Sequence, residues 1–379
     1  MRKFLGPLLR TTAGALAFAL LCAPAAGAAT PPAPPAPPAP PASPERPSAP
    51  PLPSPEAARL AFAVRHHAVQ HGGFVRAANA SISCRAAEAS DCRAVRAGRS
   101  AVNGDFDMFY VDVDSDPNTY NSSRAEVRVP EGGRVTYARL YWGGNLRVGE
   151  QKPPRDNGRV LIAEPGGEYK EVLADTVVGH RVADGADAFQ ATADVTRLVR
   201  DSGSGLYTVA QVNIAMGRSA AGAWGGWTLV VAYENPGEPL RDLTLWDGFD
   251  TLDTPVEVRL TGVRVPAGGG GRAGLVAYDG DRGSAGERFT LTAAPRRTPV
   301  ALGDAAGPPD DVLNSTISEP DAVPARRVPA YANTLGYDSD VFDLGPALRG
   351  GGDQPGFRLV SHPDAAWAGA LFAAVDARK

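Results

Sequence analysis

The side chains best suited to chemistry are aspartates. Val111-Asp112-Val113-Asp114-Ser115-Asp116-Pro117-Asn118 sets three carboxylates at alternate positions. A strand running through them would put Asp112, Asp114 and Asp116 on one face. Carboxylates held that close repel one another unless a cation screens them, and hard oxygen donors suit Ca2+. The motif is therefore a candidate calcium site, although it lacks the glycine and the twelfth-position glutamate of an EF-hand loop. The plainer account is a strand that runs into an Asx-rich turn closed by Pro117.

Three further stretches pair an aromatic with two acids: Trp246-Asp-Gly-Phe-Asp250, Tyr278-Asp-Gly-Asp281 and Tyr337-Asp-Ser-Asp340. Facing carboxyls about 5 Å or 6.5–9.5 Å apart would serve glycoside cleavage, whereas Asp-Gly by itself makes a turn. Trp142-Gly-Gly and Trp224-Gly-Gly-Trp227 set indoles beside glycine backbone. Exposed, Trp142, Trp224 and Trp227 would stack on sugars or anchor a partner; buried, they would be core. Nucleophile signatures are poor: there is no Gly-x-Ser-x-Gly. His67 and His71 stand four apart without the glutamate of a zinc-protease helix. Lys152 and Lys170, with Asn121 or Asn314, offer only a remote route to an isopeptide cross-link.

Cys84 and Cys92 are eight residues apart and read as one local disulfide, a bond that persists in oxidising compartments. The N-terminus gives the matching address. Arg2, Lys3 and Arg10 precede an apolar run from Ala13 to Cys22 and the small residues Ala25-Ala26-Gly27-Ala28, the layout of a secretory signal over residues 1–29. The run is too short to span a bilayer, and no other stretch reaches the length needed, so the mature chain is expected to lack a transmembrane segment. Residues 31–55 hold 14 prolines, beginning with four copies of Pro-Pro-Ala, and should form an extended polyproline rod.

The elements that must position these residues are strands. The 379-residue chain has 38 Lys+Arg against 42 Asp+Glu, a net charge of −4 that argues against bulk nucleic-acid binding. Alternating or apolar runs recur, among them Arg134–Trp142, Gly205–Ile214, Trp227–Tyr233, Val256–Val265 and Ala370–Val375, with Gly, Pro, Asp and Asn between them. Helical periods are scarce. The pattern predicts an all-β protein, an antiparallel sandwich or jelly roll, as two packed sandwiches over 72–238 and 239–379. Residues 30–71 would be a proline-rich linker ending in a short helix over 56–71.

Several motifs in fixed order carry a resemblance. They include Tyr110-Val-Asp-Val-Asp-Ser-Asp-Pro117, Ala138-Arg-Leu-Tyr-Trp-Gly-Gly144, Gly225-Gly-Trp-Thr-Leu-Val-Val-Ala-Tyr233, Leu275-Val-Ala-Tyr-Asp-Gly-Asp281, Leu313-Asn-Ser-Thr-Ile-Ser318 and Leu335-Gly-Tyr-Asp-Ser-Asp340. Together, over about residues 72–379, they resemble an uncharacterised domain of exported actinobacterial surface proteins that commonly precedes adhesin-like β repeats. The resemblance implies export and a surface role, and it carries no catalytic residues. The expectation is a secreted, non-catalytic protein acting at the cell surface in adhesion or wall organisation. Its partner would be a cell-wall or extracellular glycan, or a surface protein. The alternative is a glycan-binding module or carbohydrate-active hydrolase that uses aspartate pairs.

Overall fold

The computed structural model describes residues 60–378 except 322 and 363–365, all within one compact unit. The expected export signal and most of the expected proline-rich linker lie outside the described residues.

The fold is all-β, and the ladders between its strands are antiparallel. Hydrogen bonding runs through nine strands around β1 (Leu60–Ala80). On one side lie β11 (Gly225–Glu234), β5 (Arg134–Asn145), β9 (Ala186–Asp194) and β8 (Thr176–Ala183). On the other lie β12 (Leu240–Thr251), β21 (Trp367–Asp376), β15 (Gly271–Tyr278) and β19 (Tyr337–Asp343). β1 belongs to both sets. Leu60–His71 pairs with β12, and from Gly72 the strand pairs with β11. The change falls at Gly72, whose φ of 131° favours glycine and where a Cβ would meet Tyr233 O at 2.1 Å.

The two halves of this ribbon face each other. Between them lies a layer of Phe74, Tyr141 and Val230 from one half and Leu245, Tyr278 and Trp367 from the other. Each half also carries an outer sheet. The first comprises β18 (Arg327–Val328), β4 (Ser122–Val127), β10 (Gly205–Ala210), β6 (Arg159–Ala163) and β7 (Lys170–Leu173). The second comprises β13 (Val256–Arg259), β20 (Gly352–Val360), β16 (Arg288–Ala294) and β17 (Arg296–Ala301), with β14 (Arg264–Val265) also on β20. The molecule is thus two sandwiches packed inner sheet to inner sheet. A ribbon of β2 (Ile82–Cys84) and β3 (Met108–Tyr110) and three short helices, α1 (Cys92–Arg96), α2 (Thr196–Ser202) and α3 (Gly345–Leu348), fill corners. Among the described residues no helix is long and apolar enough to cross a membrane.

Inner strands are buried on both faces, so their alternate residues feed different cores. On β11, Trp227, Leu229 and Val231 enter the first sandwich, whereas Val230 and Ala232 enter the middle layer. On β21, Leu371, Ala373 and Val375 enter the second sandwich, and Ala370, Phe372 and Ala374 the middle layer. This is why these strands read as unbroken apolar runs, while β13 alternates buried and exposed.

Two expectations change. The helix expected over 56–71 is, from Leu60 onward, strand. Pairing with β12 overrides the helical leaning of an alanine-rich segment. The sandwiches are also not contiguous in sequence: Leu60–His71 joins the second, and Arg327–Val328 joins the first. The loop between Glu234 and Leu240 still joins one half of the ribbon to the other.

The close packing around β11, from the adjacent β1 and from Tyr337 across the middle layer, predicts that Gly226→Ala destabilises. Its Cβ would meet Asn79 O at 2.5 Å and Tyr337 Cδ1 at 3.0 Å. Thermal melts should show a loss of about 1–3 kcal/mol. Gly350→Ala, where a Cβ meets nothing within 4 Å, should change stability by less than about 0.5 kcal/mol.

Candidate functional site

The acidic motif does not continue a strand. β3 ends at Tyr110, and Asp112, Asp114 and Asp116 lie in the loop before β4. Each carboxylate serves the loop. Asp112 Oδ1 accepts from Ser122 Oγ at 2.7 Å. Asp114 Oδ1 accepts from Asp116 N at 2.8 Å and Thr119 Oγ1 at 3.0 Å, and its Oδ2 accepts from the Tyr169 hydroxyl. Asp116 Oδ1 accepts from Asn118 N at 2.9 Å and Nδ2 at 2.8 Å. Partial burial raises the Asp114 pKa, but these hydrogen bonds, led by that of Tyr169, outweigh it and hold the carboxyl below its ordinary value. Among the described residues no three His, Cys, Asp or Glu side chains converge to hold a metal.

What the loop builds is one wall of an open trough of about 480 Å³ on the outer face of the first sandwich. Its floor carries Arg124 on β4 opposite Thr208 on β10, a cross-strand pair. Glu168 and Tyr169, just before β7, form the facing wall. Arg124 Nε is buried without a hydrogen-bond partner. Burial and Asp114 together raise the Tyr169 pKa, so the phenol stays protonated and donates. Carboxylates, a guanidinium and a hydroxyl thus share one solvent-facing concavity. No sequence signal marks Arg124, Glu168, Tyr169 or Thr208, because three separate segments bring them together.

The tryptophans are elsewhere. Trp142, Trp224 and Trp227 are fully buried, so of the two readings they are core and offer no face for stacking on a ligand. Each lies on or beside an inner strand covered on both faces. Trp142 Nε1 donates to Asn157 O and Trp227 Nε1 to Ser123 Oγ, both at 2.8 Å. The Cys84–Cys92 disulfide is formed and joins the end of β2 to α1. His67 bonds Asp242 Oδ2 at 2.7 Å and His71 bonds Glu238 O at 2.7 Å, each on an extended strand that separates the two rings.

The acid pairs are structural partners. Asp247 receives Arg65 Nε at 2.8 Å and Tyr141 hydroxyl at 3.2 Å. Asp279 and Asp281 receive Asn103 Nδ2 and N at 2.9 and 3.3 Å. Asp338 and Asp340 project from β19, the edge strand of its half-ribbon. The segment 314–318 runs beside it, with Ser339 N donating to Thr316 O and Val341 N to Ser318 O, both at 3.0 Å. The carboxylates take the returning donors: Thr316 N to Asp338 Oδ1 at 2.9 Å and Ser318 N to Asp340 Oδ1 at 2.7 Å. Each Oδ2 is buried without a partner. Burial, reinforced by Asp340, raises the Asp338 pKa well above the carboxylate range, and burial pushes Asp340 up to about 7.

No family model and no curated protein matches the chain. Among solved structures it is similar to PNGase F, a glycosylasparaginase from Flavobacterium meningosepticum. The identity is 12%, with 71% of this chain and 95% of that one covered and a TM-score of 0.21. It is also similar to a peptide-N(4)-(N-acetyl-β-D-glucosaminyl) asparagine amidase at 11% identity, with 81% and 97% covered and a TM-score of 0.20. At that level of superposition neither likeness bears on function. The fold class, an all-β antiparallel sandwich, follows from the strands themselves.

Two outcomes are expected. Asp114→Ala should lower the melting temperature by the same amount in calcium and in chelator, because its carboxylate serves Tyr169 and the loop; a larger loss in calcium would point to a bound ion. The raised pKa values of Asp338 and Asp340 give stability that is present below the ordinary carboxylate range and lost as pH rises through neutrality. Melting between about pH 4 and pH 8 should therefore show a decline that Asp338→Asn flattens. Parallel curves for the two proteins would show that the pair does not titrate in this window.

Proposed function

We propose that the protein is an exported, non-catalytic binding protein of the cell surface, and that the trough is where it meets an extracellular glycan. The observation that carries this reading is the trough itself. Sugar hydroxyls both donate and accept, and a solvent-facing concavity holding Arg124, Thr208, Asp116 and Glu168 offers both kinds of partner. Export is supported by the N-terminal signal pattern and by the disulfide, which suits an oxidising compartment. A hydrolytic role finds less support. An acid for glycoside cleavage needs a raised pKa at the substrate, and the three raised carboxyls with buried free oxygens, Asp311, Asp338 and Asp340, do not line the trough.

The test is co-sedimentation of the mature protein with insoluble cell-wall glycan, with the supernatant assayed for released sugar. The expected result is protein in the pellet and no sugar released. Glu168→Ala and Arg124→Ala should each weaken retention by about tenfold, the value of one hydrogen bond to a charged group. Glu257→Ala on the second outer sheet should not. Soluble sugar fragments would make the protein a hydrolase. Protein left wholly in the supernatant would refute glycan binding.

A further inference from the structure

Charged side chains that enter the layer between the inner sheets need partners there. Arg76 is such a side chain. It projects from β1 into the rim of the middle layer and is 5% exposed. Its Nη2 donates to Ser318 O at 2.6 Å, but its Nε is buried with no partner. Arg327, on β18, stands beside it. Its Nη2 donates to Tyr331 O at 3.0 Å, and its Nη1 is likewise buried with no partner. Burial, and then the neighbouring charge of Arg76, pushes the Arg327 pKa down to about 10, a sign of two cations held close in poor solvent.

The acids nearby are committed elsewhere. Asp321 takes both Nη atoms of Arg272, at 2.5 and 3.0 Å. Glu126 accepts from Arg128 Nε at 2.8 Å and Arg326 N at 3.0 Å. Glu319 accepts from Ala325 N at 2.6 Å. Asp340 faces both buried arginines, but its Oδ1 holds Ser318 N and Thr316 Oγ1, and its raised pKa makes it a weak counter-ion at neutral pH. The unpartnered N–H groups therefore lack a protein oxygen.

Of the two side chains, Arg76 borders open space. Arg76, Arg128 and Arg272, the acids Glu126, Glu319 and Asp321, and the apolar Phe74, Val341 and Phe372 line a recess of about 50 Å³. That volume admits a small oxyanion head and not a sugar ring. The recess adjoins a cleft of about 470 Å³ at the seam of the sandwiches, and the two share Phe74, Val75, Arg128, Arg272 and Asp321. A cleft of this size suits a ligand body. The edge-to-face pair Phe74–Phe372, 5.6 Å between centroids, keeps one wall apolar, which strengthens a charge-assisted hydrogen bond made beside it.

We propose that this recess is an anion site, in which Arg76, with Arg128 at its mouth, receives a carboxylate, sulfate or phosphate group whose remainder lies in the outer cleft. The site is separate from the trough and stands or falls independently of it. Guanidinium geometry matches such groups, and the ligand oxygen supplies the partner that the buried donor lacks.

The test is calorimetric titration and thermal melting of the mature protein with sulfate, phosphate and acetate, each against chloride at equal ionic strength. Polygalacturonate against neutral dextran forms a second arm. Saturable binding of an oxyanion, with a rise in melting temperature that chloride does not reproduce, is the expected result. Arg76→Gln, which keeps a donor for Ser318 O, should abolish it. Arg128→Ala, at the exposed mouth, should weaken it by about tenfold and decides the matter if the first variant fails to fold. Glu168→Ala in the trough should leave it unchanged. Tighter binding of polygalacturonate than of the free ions would assign the anion to an acidic polysaccharide, and free-ion binding alone would assign a small oxyanion; both support the site. Equal effects of chloride and oxyanions, or full binding by Arg76→Gln, would overturn it. So would anion binding that appears only in Asp340→Asn, because Asp340 would then be the native counter-ion.

Discussion

The structure depends on one bent strand. β1 pairs with β12 along Leu60–His71 and with β11 along Gly72–Ala80, so a single stretch of backbone hydrogen bonds fixes both sandwiches in register. The bend is possible because Gly72 holds a backbone angle that disfavours a side chain, in a space closed by Tyr233 O. Everything between the inner sheets follows from that fold-back. Gln190 Nε2 reaches Gly248 O and Gly369 O at 3.0 and 3.1 Å, Tyr278 hydroxyl donates to Gln190 Oε1 at 3.0 Å, and Thr228 Oγ1 and Tyr337 hydroxyl meet at 2.7 Å. These bonds cross from one half-ribbon to the other. An apolar layer alone would tolerate sliding, whereas directional bonds in a poorly polarisable interior specify one alignment.

A double-faced inner ribbon also decides where chemistry can occur. Its own side chains are used up in three cores, which is why the indoles that resemble a sugar platform in sequence are inaccessible in the fold. Open surface is left to the outer sheets and to the seam where the half-ribbons part. The trough lies on the first outer sheet, built by loops that extend past the strand ends. The seam cleft lies where β1 turns from one half to the other, bordered by Gly73, Tyr233 and Gly271.

The fold class was legible in the sequence, and the sites were legible only in part. Strand content showed in the recurrent runs separated by Gly, Pro, Asp and Asn. The depth of the layers did not, because an unbroken apolar run such as Gly225–Glu234 gives no sign of which two cores it serves. The segment 56–71 reads as helix because Ala, Arg and Leu favour helices locally, and only the distant β12 makes it a strand. Asp112, Asp114 and Asp116 were visible as a cluster, yet their loop conformation is set by Ser122, Thr119 and Tyr169, residues that spacing does not reveal. Arg76 gave no signal at all: its carbonyl partner, Ser318, is 242 residues away.

The two kinds of buried charge near β19 clarify one another. Asp338 and Asp340 replace the carbonyls that an edge strand would otherwise have to offer to the segment 314–318, and so close the exposed edge of the sheet. That use needs only one oxygen of each carboxylate and leaves the other buried, which raises both pKa values. A partly neutral Asp340 is then a poor counter-ion for Arg76 and Arg327, although all three groups sit within electrostatic reach. The donors of Ser318 and Thr316 work the other way: they favour the ionised form of Asp340 and offset part of what burial costs its charge, so the same segment that closes the edge also keeps some negative charge beside the guanidiniums.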